Sequence, residues 1–530
     1  MMVQRRHILA APALLLPATA GGPAGAQSRA ATLVVAGPRV PESLDQEYPP
    51  TEAGHEARRN IFERLLRYAP KTQDGVQAEN FDVLEGALAE NWDLAPDGRS
   101  ITFRLRPGVK SFAGNTLSAD DVMWTFERGW NLKATFHWYM TQVLKITSFE
   151  DAFRKLDDMT VRVSLPSASP LLARLWVNND LGIIDSAEAK KRATAEDPWA
   201  SRFLATSSAS FAPYHVTEFV PGQRVVYQAN MAYYRGAPRL ERVIFQEMPT
   251  SANRLAALQA GSVDVAEWLL PRELALLQSS PTTKVWTVFG NYIHRLEMNN
   301  TLKPFDDARV RRALNHLVPR DAMARSIYFN TARPTRSPIS EIYPGWTGDY
   351  FAFDTSVEKA KALLNEAGYP DGFQTEIGYR ADDQLEEEMA VALRTAFGRA
   401  GVQAQLSKMP SSTLVERYTK GQMPMYFFRD MAIVPDAAYV ANLWLNSKSI
   451  VNYARFKVDE VDNLINAGLT SVDEPRRLAD SRRVQQITME QAPWVFLFNP
   501  GYQLATRANV KGFSWYTPNG NSWYDFYKEG

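Results

Sequence analysis

Residues able to do covalent chemistry are sparse in this chain. Its 530 residues include no cysteine, which removes disulfides, thiolate metal sites and cysteine nucleophiles together. The six histidines, His7, His55, His137, His215, His294 and His316, are scattered, and no pair has the helical spacing that places two imidazoles on one metal. No GxxxxGK phosphate loop, GxGxxG turn, GxSxG elbow or HExxH motif occurs. Aspartates and glutamates are plentiful, so spacing alone leaves a paired-carboxylate hydrolase open. What remains is an inventory of arginines, carboxylates and rings. The 13 tryptophans and 21 tyrosines exceed what packing alone demands, and such rings line solute pockets because they combine flat apolar area with a polar handle. That inventory supports recognition of a small solute without a cofactor or a resident metal.

The beginning of the chain says where such recognition would occur. A basic Arg5-Arg6 pair precedes an apolar run from Ile8 to Ala20, and small residues follow up to Ala24-Gly25-Ala26. This is the layout of an export signal over residues 1–26, with cleavage expected after Ala26. The run is too short for a bilayer-spanning helix, which needs roughly 20 apolar residues, and Pro12 and Pro17 interrupt it. The arginine pair leaves the general secretory and twin-arginine routes both open. With no cysteine to carry a lipid, the exported chain is expected to be free in a periplasm.

Composition narrows the class further. Lysine plus arginine balance aspartate plus glutamate at 59 each, so no strong field exists to steer nucleic acid, and none is expected as a partner. A chain of this length with 45% hydrophobic residues can bury substantial cores in two to four domains. Patterning alternates between period two and period 3.6, which predicts a mixed α/β protein. Residues 31–36 and 101–106 and Arg224-Val225-Val226-Tyr227 read as strands. Helices are predicted from Glu56 to Leu66 and from Ala252 to Ala260, the latter stopped by Gly261. Another opens with a Thr355-Ser356-Val357-Glu358 capping box and runs to Gly368, and a fourth starts with Asp382 and Asp383 and ends before Gly401.

Several separated blocks then resemble the family 5 extracellular solute-binding proteins. Leu88-Ala89-Glu90-Asn91-Trp92, Pro96-Asp97-Gly98, Leu105-Arg106-Pro107-Gly108-Val109-Lys110 and Ser118-Ala119-Asp120-Asp121-Val122 form the first block. Pro213-Tyr214, Tyr233-Tyr234 and the stretch from Leu255 to Asp264 form a second. Pro304-Phe305-Asp306-Asp307 through Leu314, and Lys359 to Tyr369, complete the series in the family's order. The resemblance implies an α/β two-lobed periplasmic binding protein fold with mixed sheets, three domains and a hinge between the lobes. It places domain I in residues 27–58, 206–284 and 500–530, an inserted domain II in 59–205, and domain III in 285–499. It also implies a monomer that hands its ligand to an ABC permease and ATPase complex of the inner membrane. A solute receptor or chaperone of the same fold that serves no transporter is the alternative.

The resemblance also directs attention to particular side chains. Arg380 follows the strand Thr375-Glu376-Ile377-Gly378-Tyr379, where dipeptide receptors place an arginine for the ligand carboxylate; a solvated turn residue is the alternative. Tyr426 to Asp436 resembles the stretch that carries an aspartate for the ligand's amino terminus, but Ile433 occupies that position. Asp430 could serve from another register, or form a local ion pair with Arg429, and Phe428 lies beside them. Phe211 stands in a turn that the family makes with glycine and could narrow the cleft, with core packing as the alternative that its type favours. Trp444, Tyr453, Trp515 and Tyr516 are further candidates for its walls, with buried structure as their alternative. The ligand classes left open are peptide, modified peptide, opine or sugar conjugate, and chelated metal.

Overall fold

The computed structural model describes residues 31–49, 51–517 and 520–529; the export signal expected over 1–26 lies outside the described residues. One strand, Trp494–Arg507, belongs to both halves of the molecule. Its first part pairs antiparallel with Ile293–Met298 and Ala332–Pro334. Its second part pairs antiparallel with Thr283–Phe289 and Val265–Glu267. The apolar run Trp494-Val495-Phe496-Leu497-Phe498 is fully buried, as a strand covered on both faces must be.

From this strand a twelve-stranded sheet extends in two directions. On the far side, Met425–Asp430 pairs antiparallel with Ile293–Met298, and Gln374–Arg380 runs parallel to both Met425–Asp430 and Gln403–Met409. The helix Gln384–Gly398 buries Met389, Leu393 and Phe397 against this half, in one core with Ile377, Val495 and Leu497. On the near side, Val265–Glu267 and Arg242–Glu247 flank Thr32–Gly37 in parallel, and Arg224–Ala229 and Tyr214–Val220 close the edge antiparallel. A separate antiparallel sheet of four strands, Ala89–Leu94, Ser100–Leu105, Thr160–Ser164 and Phe153–Asp157, packs with the helix Ala119–Leu132.

The predicted elements are present, with two shifts. The first helix is Glu52–Ile61, one turn earlier than its apolar pattern suggested, because the Thr51 hydroxyl caps the Gly54 amide and Phe62 turns to extended backbone. The helix Val357–Glu366 is capped by Ser356, not Thr355; the Thr355 hydroxyl instead donates to the Val318 carbonyl.

The two halves are joined where the chain crosses between them. Residues 290–292 link Thr283–Phe289 to Ile293–Met298, and they lie beside Asn499 of the long strand. The Asn499 side chain donates to the carbonyls of Gly290 at 2.8 Å and Tyr292 at 2.6 Å, stitching the crossings together. Gly290 has no room for a side chain, since a Cβ there would stand 2.4 Å from Trp515 Cζ2, and Trp515 is fully buried. Gly290→Ala is therefore expected to lower stability by about 1–3 kcal/mol through overpacking. Gly398, on a helix with nothing within 4 Å of its Cβ position, should gain up to about 1 kcal/mol as alanine. Thermal unfolding of the two variants should therefore shift in opposite directions.

Candidate functional site

A cavity of about 820 Å³ lies between the two halves. Its far wall is built at the carboxyl ends of neighbouring parallel strands, where an α/β sheet opens a crevice. Arg380 ends one of these strands and Arg429 is the penultimate residue of the other. Asp383 caps the helix that follows, accepting the Glu386 amide. All three side chains line the cavity.

Ion pairs fix the far wall. Arg380 donates its amide at 2.9 Å and its Nη1 at 2.6 Å to the two oxygens of Glu386, and Arg429 donates Nη1 to Asp383 at 2.9 Å. Nε and Nη2 of both arginines make no hydrogen bond among the described residues, so each guanidinium keeps a fork edge for a ligand. Burial pushes the Glu386 carboxyl up to about 7 in spite of Arg380. Burial also acts to raise Asp383, but Arg429, the Glu386 amide and Arg380 together hold it below its ordinary range. Arg429 is desolvated too, yet Tyr292, Asp383, Glu52 and Glu386 outweigh that and keep it charged. His294 faces a smaller adjoining cavity that Arg429 also lines. Its Nδ1 lies 2.8 Å from the Tyr328 hydroxyl. Burial and then Arg429 depress its pKa to about 3, leaving a neutral ring.

The near wall carries carboxyls and rings. Glu52 and Glu56 sit one turn apart on the helix Glu52–Ile61, Glu267 ends its short strand, and Tyr227 and Trp268 supply aromatic surface. Trp268 adopts φ +51°, a left-handed conformation that is costly for a bulky residue and clusters at functional sites. Arg254 holds it there by donating to the carbonyls of Met248, Pro249, Glu267 and Trp268 at 2.5–2.9 Å. No group of three or more histidine, aspartate or glutamate side chains able to hold a metal occurs among the described residues.

Of the residues singled out from sequence, Arg380 and Arg429 face this cavity. Asp430 does not, because neighbours on a strand point to opposite faces. Its carboxylate accepts the Trp444 indole N–H at 2.9 Å and the Met431 amide at 2.8 Å. The expected pair between Asp430 and Arg429 is likewise absent, since Arg429 turns to Asp383. Phe428, Trp444 and Tyr453 belong to the same interior group: the Arg295 guanidinium lies 4.9 Å from the Phe428 ring and 4.4 Å from Trp444, and Tyr453 packs on Phe428 at 5.5 Å. Phe211 is a fully buried core residue. Trp515 fills the space beside Gly290, and Tyr516 lies under Arg59 with its hydroxyl on Asp525. Ile433 is half-buried and outside the cavity lining. Sequence reasoning missed Glu56, Glu267, Trp268 and Arg254. Only the i, i+4 spacing of Glu52 and Glu56, which puts both on one helix face, could have pointed to the first of these.

Comparisons with known proteins agree with this architecture. The chain is 26% identical over 457 residues to heme-binding protein A of Haemophilus influenzae, covering 82% of this chain and 81% of that protein. It is 25% identical to the dipeptide-binding protein of Escherichia coli strain K12, over 92% and 93% of the two chains. Among solved structures it is similar to the periplasmic binding protein DppA of Helicobacter pylori in complex with peptide STSA, with TM-score 0.79, 23% identity, and 94% and 98% of the chains covered. The model of the bacterial extracellular solute-binding proteins, family 5, matches residues 83–452. With the model matching well over half of its length, the chain belongs to the family 5 bacterial extracellular solute-binding proteins.

Proposed function

We propose that this chain is the receptor of an ABC importer, free and monomeric in the periplasm, which closes two lobes around a peptide-like solute and presents the closed form to a permease and its ATPase. The observation that carries this reading is the cavity of about 820 Å³ with ionic groups on both walls, a volume typical of small-molecule sites. On the far wall, the unengaged edges of Arg380 and Arg429 suit a carboxylate, which a guanidinium fork can bind through two hydrogen bonds. On the near wall, Tyr227 and Trp268 offer apolar area. A ligand touching both walls has most of its binding energy in the closed state, and only such a difference shifts the population of shapes. The dipeptide- and peptide-binding names of the similar proteins support a peptide-like ligand. The domains we assign are residues 27–58, 206–284 and 500–530 for one lobe's base, 59–205 for the inserted domain, and 285–499 for the far lobe. No catalytic step is assigned to the chain.

Closure is also supported by polar links across the cleft. Arg272 donates to Gln384 Oε1 at 2.9 Å and lies 3.3 Å from Glu388, and the Tyr292 hydroxyl donates to Glu52 at 2.9 Å. The exposed Arg272–Glu388 pair should contribute about 0.2–1 kcal/mol. Arg272→Ala is accordingly expected to speed ligand release by no more than about fivefold, measured by stopped flow.

Removing Arg380 alone would leave the buried Glu386 carboxylate without its partner, so the informative comparison is Arg380→Ala/Glu386→Gln against Glu386→Gln. Identifying by mass spectrometry the solute retained through purification provides the titrant. Loss of charge-assisted hydrogen bonds should weaken an anionic ligand about tenfold or more. Equal affinities would remove Arg380 from the site, and scattering profiles that do not contract with a tight ligand would refute closure.

A further inference from the structure

The charges on the two cavity walls are not treated alike. On the far wall each arginine has a carboxylate partner. On the near wall Glu56 and Glu267, 7% and 2% exposed, stand side by side with no cationic donor hydrogen-bonded to either among the described residues. Asn521 alone among the described residues donates to the pair, its side-chain nitrogen lying 3.2 Å from Glu56 Oε2 and 2.6 Å from Glu267 Oε1. The same nitrogen also lies 3.0 Å from the Tyr502 hydroxyl oxygen, so its two protons face three acceptors. Glu56 Oε1, on a side chain that lines the cavity, is buried and receives no hydrogen bond from an N–H or hydroxyl donor among the described residues; only the Glu267 carboxyl lies within hydrogen-bonding reach of the Glu56 carboxyl. Such a group is costly to leave unsatisfied.

We propose that Glu56 and Glu267 form a subsite for a cationic ligand group, an ammonium or a guanidinium, at the near wall of the cavity. An ammonium brings three donors and one positive charge, which matches the absent hydrogen bond and the uncompensated acidity together. This inference rests on the reading that the cavity takes a solute and deepens it, because the ligand then bridges the lobes by its ends. Its anionic end meets the far-wall arginines and its cationic end the near-wall carboxyls.

The groups packed around the pair agree with this assignment. Arg254, on the helix Ser251–Ala260, is near Glu267 but spends its hydrogen bonds on backbone carbonyls. Glu52, one turn before Glu56, adds negative charge and is engaged by Tyr292. Tyr227 and Tyr502 are buried phenols held neutral by burial and by the two glutamates. In the unliganded state burial, and then the proximity of the two carboxyls, raises the proton affinity of the pair. A cation bound between the two carboxyls therefore competes with a proton, and its binding is coupled to proton release.

The test uses methylammonium as the probe and the full exported chain. Melting temperature is followed against methylammonium chloride with sodium chloride at matched ionic strength, for wild type, Glu56→Gln and Glu56→Gln/Glu267→Gln. Wild type should be stabilised saturably, and the apparent Kd should rise about tenfold or more in both variants, as expected for losing a charged partner. Calorimetry in buffers of different ionisation enthalpy should show proton release by wild type only. Equal responses to methylammonium and sodium, or an unchanged response in the variants, overturn the subsite. Ala-Ala, N-acetyl-Ala-Ala and N-acetyl-lysine amide then distinguish a peptide's amino terminus from a basic side chain as the source of the cation. Closure around a solute that is indifferent to its amine would refute the subsite and leave the receptor reading intact. Methylammonium binding with no closure around any solute would do the reverse.

Discussion

A single strand shared by two half-sheets is the constraint from which the rest of this molecule follows. Trp494–Arg507 hydrogen-bonds to one set of strands at its beginning and another at its end, so the halves cannot separate without breaking its ladder, yet they meet along a narrow crossing. Asn499 ties the returning crossing to the outgoing one through two carbonyls, and Gly290 allows Trp515 to pack directly against the chain there. A joint of so few residues is the kind of place at which hinge-type closure concentrates its backbone changes.

The cavity inherits its polarity from that arrangement. Because Gln374–Arg380 and Met425–Asp430 run parallel, their carboxyl ends emerge on the same edge, and both bring an arginine to one wall. Helix Gln384–Gly398 begins just beyond them and supplies Asp383 and Glu386, which orient the guanidinium groups while leaving their outer nitrogens unengaged. The opposite wall comes from the helix Glu52–Ile61 and the strand Val265–Glu267. There Glu56 and Glu267 are held by the Asn521 amide and Glu52 by the Tyr292 phenol instead of by cations. Arg254, a cation near Glu267, is consumed in holding Trp268 in a left-handed conformation. The site is therefore positive-capable on one side and acid-rich on the other, with rings between.

The interior group around Arg295 shows how easily such a site is misread. Phe428, Asp430, Trp444 and Tyr453 have the residue types of a binding cleft and stand close in sequence to the cavity residue Arg429. They nevertheless assemble on the other face of the same strand, where the Arg295 guanidinium is surrounded by rings at 4.4–4.9 Å and paired with Glu297 at 2.6 Å. The period-two alternation of a strand made the choice between Arg429 and Asp430.

What the sequence determined by itself was local and periodic. Alternation and capping signals predicted strands at 31–36 and 101–106, observed one residue away as Thr32–Gly37 and Ser100–Leu105, the helix stopped at Gly261 with φ +71° and the helix opened at Asp383. The order of motif blocks pointed to the family, and the placement of Arg380 after a strand and before a helix carried its position at the crevice. The tertiary structure alone decided which side chains face one another across distance. Glu56 reads as one more acid on an amphipathic helix until Glu267 and Asn521, 211 and 465 residues further along the chain, are folded beside it. Phe211 and Trp515 read as possible walls until packing encloses them. Backbone preferences are short-ranged and leave a record every few residues, whereas burial and pairing depend on contacts that the chain makes only when both halves close on the shared strand.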